Sequence, residues 1–235
     1  MVAAAPVGAQ TLFATGFEAS EGYALGILNG QQGWTESATP YEGYVTDQVA
    51  YQGTQALLFT ANHGRAAVHA LSAPGTFLGV EIVMGKAYVN TGQWWLALQG
   101  AGGTNERSAV FGFNNGQLSY YNGPSGGGGS WVGIRPFNAG QAYHFKAVVN
   151  IPQNKWSLWI DGVLEASDIP LYHSMAVSAT QVYLYRGYLS LSGLPTDANY
   201  AAADDLSVYV IPEPASALTL LAGLGAICGS IRRRR

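Results

Sequence analysis

The stretch that decides the fold runs Tyr143-His-Phe-Lys-Ala-Val-Val-Asn150-Ile-Pro-Gln-Asn-Lys155-Trp-Ser-Leu-Trp-Ile160-Asp-Gly-Val-Leu164. Its first seven residues alternate. Tyr143, Phe145, Ala147 and Val149 fall on one face, and His144 and Lys146 fall on the other. A period of two is the signature of a half-buried strand. Lys155 to Ile160 forms a second run, and Asp161-Gly162 separates it from Val163-Leu164. Asp-Gly between apolar runs marks a tight hairpin, because both turn positions need positive φ. Asn115-Gly116 repeats that signal between Val110–Phe113 and Gln117–Tyr121.

Outward from this core, further β-like runs cover Gln55–Thr60, Phe77–Met84, Gly92–Gln99, Gln181–Arg186 and Leu206–Val210. Short runs separated by turn residues predict a sandwich or jelly roll. Ala201-Ala202-Ala203 is flanked by β-like sequence and reads as loop or strand rather than helix. No internal repeat is present. The expectation is an all-β chain, an antiparallel jelly-roll β-sandwich over residues 11–209, followed by one C-terminal transmembrane helix.

Composition narrows the function. The 235 residues are 48% hydrophobic but only 11% charged, with 31 glycines. That is apolar enough to exclude global disorder. A net charge of −3 argues against nucleic acid as a partner. The single cysteine, Cys228, rules out a disulfide within the chain and a cysteine-based zinc site. Within the apolar tail it reads as a small filler.

The two ends point to export. Residues 1–9 read as the remnant of a secretory signal or a disordered leader, with Val7-Gly8-Ala9 like the end of such a signal. At the other end, Pro212-Glu213-Pro214 precedes an apolar run, Ala215 to Ile231, and four arginines, Arg232, Arg233, Arg234 and Arg235. As a helix, the run would be roughly 26 Å long, just short of the ~30 Å hydrocarbon core. The arginines would stop transfer and hold the C-terminus on the cytoplasmic side. The two prolines keep the chain extended around Glu213, outside the lipid.

This three-part layout over residues 210–235 resembles the PEP-CTERM protein-sorting signal. The resemblance implies an exported protein recognised by exosortase, a membrane protease or transpeptidase. It also implies cleavage at or near Pro212 to Pro214. The chain would be anchored in the inner membrane through residues 215–231 before processing, and would then reach the cell surface or extracellular matrix.

Several short motifs resemble the concanavalin-A-like (laminin-G-like) jelly rolls. They are Gly16-Phe17-Glu18 with Gly22-Tyr23, Asn29-Gly-Gln-Gln-Gly-Trp34, Trp156-Ser-Leu-Trp-Ile-Asp-Gly162 and Ala203-Asp-Asp-Leu-Ser-Val208. The first and last also resemble carbohydrate-binding modules with a galactose-binding-like jelly roll. The choice between the two versions stays open.

Candidate chemistry follows. Glycoside hydrolysis needs two carboxylates facing across a sugar. No Glu-x-Asp pattern of the lectin-like glucanases occurs in this sequence. Asp161 belongs to a hairpin turn, and Glu165 and Asp168 read as solvated loop charges. Gly123-Pro-Ser125-Gly-Gly127 matches Gly-x-Ser-x-Gly, but the glycines that follow cannot start the helix a nucleophile elbow requires. His63, His69, His144 and His173 show no metal-ligand spacing. Glu18 with Asp204 or Asp205 could supply oxygens to a calcium ion if the first and last strands are neighbours. In the resembling carbohydrate-binding modules a structural calcium takes this kind of place.

Six Trp and fourteen Tyr make sugar stacking the better hypothesis. Candidate sugar contacts are Trp34, Tyr41, Tyr44, Trp94, Trp95, Tyr120, Tyr121 and Trp131. Trp94-Trp95 must put one ring on each face of a strand. The expectation is therefore an exported, non-enzymatic surface or matrix protein that binds extracellular polysaccharide. The alternative is a polysaccharide-processing enzyme, hydrolase or lyase, on the same fold.

Overall fold

The structure, a computed structural model, describes residues 9–39, 41, 43–60, 64–89, 92–123, 128–172, 178–187 and 200–212. It is all-β. In chain order the strands are β1 (Gln10–Thr15), β2 (Gly26–Ile27), β3 (Thr35–Glu36), β4 (Gly43–Thr46), β5 (Ala56–Phe59), β6 (Arg65–Gly75), β7 (Phe77–Lys86) and β8 (Trp94–Gln99). Then come β9 (Arg107–Asn114), β10 (Gln117–Asn122), β11 (Ser130–Pro136), β12 (Ala142–Asn150), β13 (Lys155–Ile160), β14 (Val163–Pro170), β15 (Ala179–Arg186) and β16 (Ala201–Val210). Two short 3-10 turns, Ala19–Glu21 and Gly103–Glu106, are the helical elements among the described residues.

The strands form two antiparallel sheets packed face to face. One sheet runs β14-β13-β12-β7-β16-β5-β4-β2, with β1 also on β16. The other runs β11-β10-β9-β8-β15-β6-β3. The hairpins expected from sequence close as turn chemistry demands. Asn115 and Gly116 take φ of 49° and 77°, and Asp161 and Gly162 take 53° and 80°. Alternation sets the faces. Tyr143, Phe145, Ala147 and Val149 of β12 are buried with Trp156, Leu158 and Ile160 of β13. They meet Trp94, Leu96, Leu98, Phe111 and Phe113 of the opposite sheet in one hydrophobic core.

Several sequence expectations are settled or corrected here. Of the two readings left open for Ala201–Ala203, the strand holds: it opens β16 and pairs with Phe59, Leu58 and Leu57 of β5. Glu165 and Asp168 sit on strand β14 rather than in a loop, and pair with Arg135 (3.4 Å) and Lys155 (2.8 Å). The β-like runs named from sequence leave out β1 to β4, β6 and β11. β6 reads Arg65-Ala-Ala-Val-His-Ala-Leu-Ser, an alanine-rich run with little β propensity, and it is placed by pairing with β15.

The predicted helix over residues 215–231 and the stop arginines Arg232 to Arg235 lie outside the described residues, as do Glu213, Pro214, Ser125, His63 and His173. Among the described residues no helix is long and apolar enough to cross a membrane. The fold delivers the chain straight to the sorting motif. β16 ends at Val210, opposite Gln10, and the Ile211 N–H donates to the Phe77 carbonyl at 2.9 Å. Pro212 follows directly.

Candidate functional site

The site begins with an anomaly in β8. Every residue from Trp94 to Gln99 is buried, including those whose side chains face away from the core. A central strand buried on both faces needs a second cover. That cover is a cluster of aromatic side chains on the outer face of the seven-stranded sheet. Trp95, Ala97 and Val110 form its base, with Tyr121, Trp131, Tyr172, Tyr183 and Tyr185 packed around them.

Strand register builds the cluster. β15 alternates Val182 and Leu184 into the core with Tyr183 and Tyr185 outward. Tyr185 lies directly opposite Trp95, and Tyr183 opposite Ala97. The Trp95 ring therefore meets Tyr185 at 4.7 Å and stacks on Tyr183 at 5.5 Å. On the other side, β10 and β11 pair Tyr121 with Trp131, and their rings meet edge to face at 5.6 Å. Tyr172, from the segment after β14, closes on Tyr121 at 4.5 Å. Gly112 stands opposite Trp95 with φ of 148°, and a Cβ there would collide with the Trp94 carbonyl and the Trp95 backbone. Only glycine fits.

Together these residues enclose an open basin of about 320 Å³. Its lining is aromatic apart from Gln93, Arg107 and Val110, and it contains no carboxylate among the described residues. The Arg107 guanidinium lies over Tyr183 (4.7 Å), Trp95 (4.9 Å) and Tyr172 (5.8 Å). Its Nε donates to Gln99 Oε1 at 3.3 Å, and Gln99 Nε2 donates in turn to Gln181 Oε1 at 3.1 Å. Burial pushes the Tyr121 and Tyr183 hydroxyls above the usual phenol range, so both stay neutral. The basin offers flat apolar rings, hydroxyl and amide groups, and one fixed cation.

The sequence candidates divide. Trp95, Tyr121 and Trp131 meet in the basin. Trp34 and Trp94 are fully buried in the core and cannot stack on a sugar. Trp34 instead donates its Nε1–H to the Tyr23 hydroxyl at 3.0 Å. Tyr120 turns inward against Trp156, edge to face at 6.0 Å. Tyr44 donates to the Tyr41 carbonyl at 3.2 Å and lines a groove on the other sheet with Leu25 and Leu58, away from the basin. Sequence reasoning missed Tyr172, Tyr183, Tyr185 and Arg107. For the Tyr183/Tyr185 pair, the signal was present in the alternation of Gln181–Arg186. For Arg107 and Tyr172 no local pattern existed.

The calcium candidates do converge, but as a clasp. β1 and β16 pair antiparallel, with Thr15 opposite Leu206. Glu18 accepts from Thr54 N (2.7 Å), Thr54 Oγ1 (2.6 Å) and Gln55 N (3.1 Å). Asp204 accepts from Tyr51 N (3.0 Å), Gln52 N (2.8 Å) and Asp205 N (2.8 Å). Burial pushes the Asp204 carboxyl up to about 6, and raises that of Asp205 as well. No group of three His, Cys, Asp or Glu side chains among the described residues is placed to hold a metal ion. Glu18 and Asp204 tie the 51–55 turn to the junction of the first and last strands.

No curated protein matches the sequence. Solved structures show the same fold at low identity. The chain is similar to a sialidase, with a TM-score of 0.58 and 12% identity, covering 78% of this chain and 17% of that one. It therefore spans about a sixth of the sialidase. It is similar to the carbohydrate esterase vb_24B_21 from the Shiga toxin-encoding bacteriophage phi24B, with a TM-score of 0.57 and 14% identity over 87% of this chain and 100% of that one. It is also similar to domain 4 of AbnA, a GH43 extracellular arabinanase from Geobacillus stearothermophilus solved with arabinotriose, with a TM-score of 0.51 and 14% identity over 86% and 93%. At the C-terminus, residues 210–235 match the PEP-CTERM protein-sorting motif, and the chain thus carries a sorting signal that supports export.

Proposed function

We propose that this protein is an exported, non-enzymatic polysaccharide-binding module of jelly-roll type, sorted through its C-terminal motif and displayed at the cell surface or in the extracellular matrix. The aromatic basin on the seven-stranded sheet carries this reading. Sugar rings expose C–H faces that stack on aromatic side chains, and the basin presents such rings with amide and hydroxyl partners at its rim. That the described residues of its lining include no carboxylate favours binding over two-carboxylate hydrolysis. The arabinotriose complex of the similar arabinanase domain is consistent with a sugar site on this fold, as an analogy only.

The direct test is affinity electrophoresis of the full chain through gels containing neutral and acidic polysaccharides. Wild type is retarded by at least one. Trp131→Ala weakens that retention by about tenfold and leaves the fold intact. Retention by none would sink the reading. Sorting through an exosortase-type enzyme is tested by the C-terminal mass of the protein recovered from its host. The arginine tail is lost from wild type and kept in Glu213→Ala. A tail kept in both would make residues 215–231 a permanent anchor.

A further inference from the structure

The basic residues of this chain fall into classes by what they touch. Outside the four terminal arginines there are seven: Arg65, Lys86, Arg107, Arg135, Lys146, Lys155 and Arg186. Arg135 pairs with Asp161 (3.5 Å) and Glu165 (3.4 Å), Lys146 with Glu81 (3.0 Å), and Lys155 with Asp168 (2.8 Å). Arg65, Lys86 and Arg186 donate to backbone carbonyls, those of Thr39 (3.0 Å), Gly92 (2.6 Å) and Gln93 (3.2 Å) respectively. Arg107 has neither a carboxylate nor a backbone-carbonyl partner among the described residues; its polar partners there are Gln99 Oε1 and the Tyr183 hydroxyl. Even Glu106, its neighbour in sequence, turns away and accepts the Gly102 N–H at 2.8 Å.

Arg107 instead lies over three rings, with Gln99 accepting from its Nε. Cation–π contacts orient the group without neutralising it. A guanidinium held this way keeps its planar fork for an incoming anion. Among the described lining residues no carboxylate repels one. The basin therefore combines a sugar-stacking wall with one preorganised anion partner.

Resting on the sugar-binding reading above, we infer that the basin selects carboxylated sugars, that is, uronic-acid residues of an acidic polysaccharide, with Arg107 as the partner of the uronate carboxylate. The rings of Trp131 and Tyr121 take the sugar face. The contact is local rather than a bulk charge effect, because the chain as a whole is net acidic at −3. Salt should weaken binding about as much as the loss of a single ion pair.

The test is calorimetry on the full chain with an oligouronate and with the same oligosaccharide after methyl esterification of its carboxyls. Wild type should bind the free acid about tenfold or more tightly than the ester, the worth of one charge-assisted hydrogen-bonded pair. Arg107→Gln should abolish that preference, weakening the free acid about tenfold more than the ester, whereas Arg107→Lys should keep part of it. Equal wild-type affinity for acid and ester would overturn the inference, and so would equal weakening of both by Arg107→Gln. Tighter binding of a sulfated glycan than of the uronate would also overturn it. Should Arg107→Gln fail to fold, the acid-to-ester ratio of wild type decides alone. Binding to neutral glycans that Trp131→Ala weakens, without any acid preference, would sink this inference and spare the sugar-binding reading. No binding to either class would sink both.

Discussion

The two outer faces of the sandwich handle charge in opposite ways. On the nine-stranded sheet, Glu81 is nearly buried and fully engaged. It pairs with Lys146 at 3.0 Å and His144 at 3.4 Å, and accepts from the Tyr209 hydroxyl at 2.8 Å. Those partners outweigh the burial that would raise it, and hold its carboxyl down at about 2. On the seven-stranded sheet, Arg107 sits on aromatic rings with no counter-ion among the described residues. A buried charge with its partners in place stabilises the fold, while one without them is available to a ligand. The same contrast separates two carboxylates. Glu81 has the Lys146 cation and the His144 and Tyr209 hydrogen-bond partners beside it and is depressed. Asp204 has only N–H donors against full burial and is raised to about 6.

The adjacent tryptophans of β8 give the largest expected contrast. Trp94→Ala opens a hole in the core and should cost about 3–5 kcal/mol in denaturant unfolding, with the basin left in place if the variant folds. Trp95→Ala should cost less stability, about 1–3 kcal/mol, but should abolish polysaccharide retention. If the two variants lose stability equally, the outer cluster is a second core rather than a site.

Glu81→Gln should cost about 2 kcal/mol at pH 7, with no change in ligand affinity. The pH dependence fixes the mechanism. The folded carboxyl titrates at about 2 and the unfolded one at 4.5. Between these values the unfolded chain binds more protons, so the stabilisation is complete above pH 4.5 and is lost as pH falls towards 2. The difference between wild type and Glu81→Gln in unfolding free energy should vanish over that window. A difference independent of pH would mean that packing, not ionisation, carries the effect.

The smallest effect sharpens the comparison from the ligand side. Tyr185→Phe removes a hydroxyl from the basin and keeps the ring on Trp95. It should shift affinity by a few-fold at most and leave the midpoint of thermal unfolding in place. A loss as large as that of Trp131→Ala would shift the recognition from stacking to hydrogen bonding.

How much of this was legible differs by element. The β12–β13–β14 meander was readable because its information is local: alternation over seven residues and an Asp-Gly turn that admits few conformations. Its neighbours were not. β12 pairs with β7, some sixty residues earlier, and β7 pairs with β16 at the end of the chain. Nothing in a window of ten residues encodes such partners. The basin shows the same limit. Trp95 could be placed on one of two faces from sequence, and the Tyr183/Tyr185 alternation could have been read. Which sheet face gathers them depends on β15 pairing with β8 rather than with any other strand.

The sequence by itself determined the all-β class, the two hairpin turns, the scarcity of charge and the sorting signal at residues 210–235, because each rests on side chains near one another along the chain. Only the tertiary structure decided that Trp34 and Trp94 are core, that Glu18 and Asp204 clasp a turn, and that Arg107 is the one described cation left open among aromatic rings. Those outcomes depend on which distant strands share a sheet. They are set by the burial of a whole core and the closure of long loops, free-energy terms that no local pattern records.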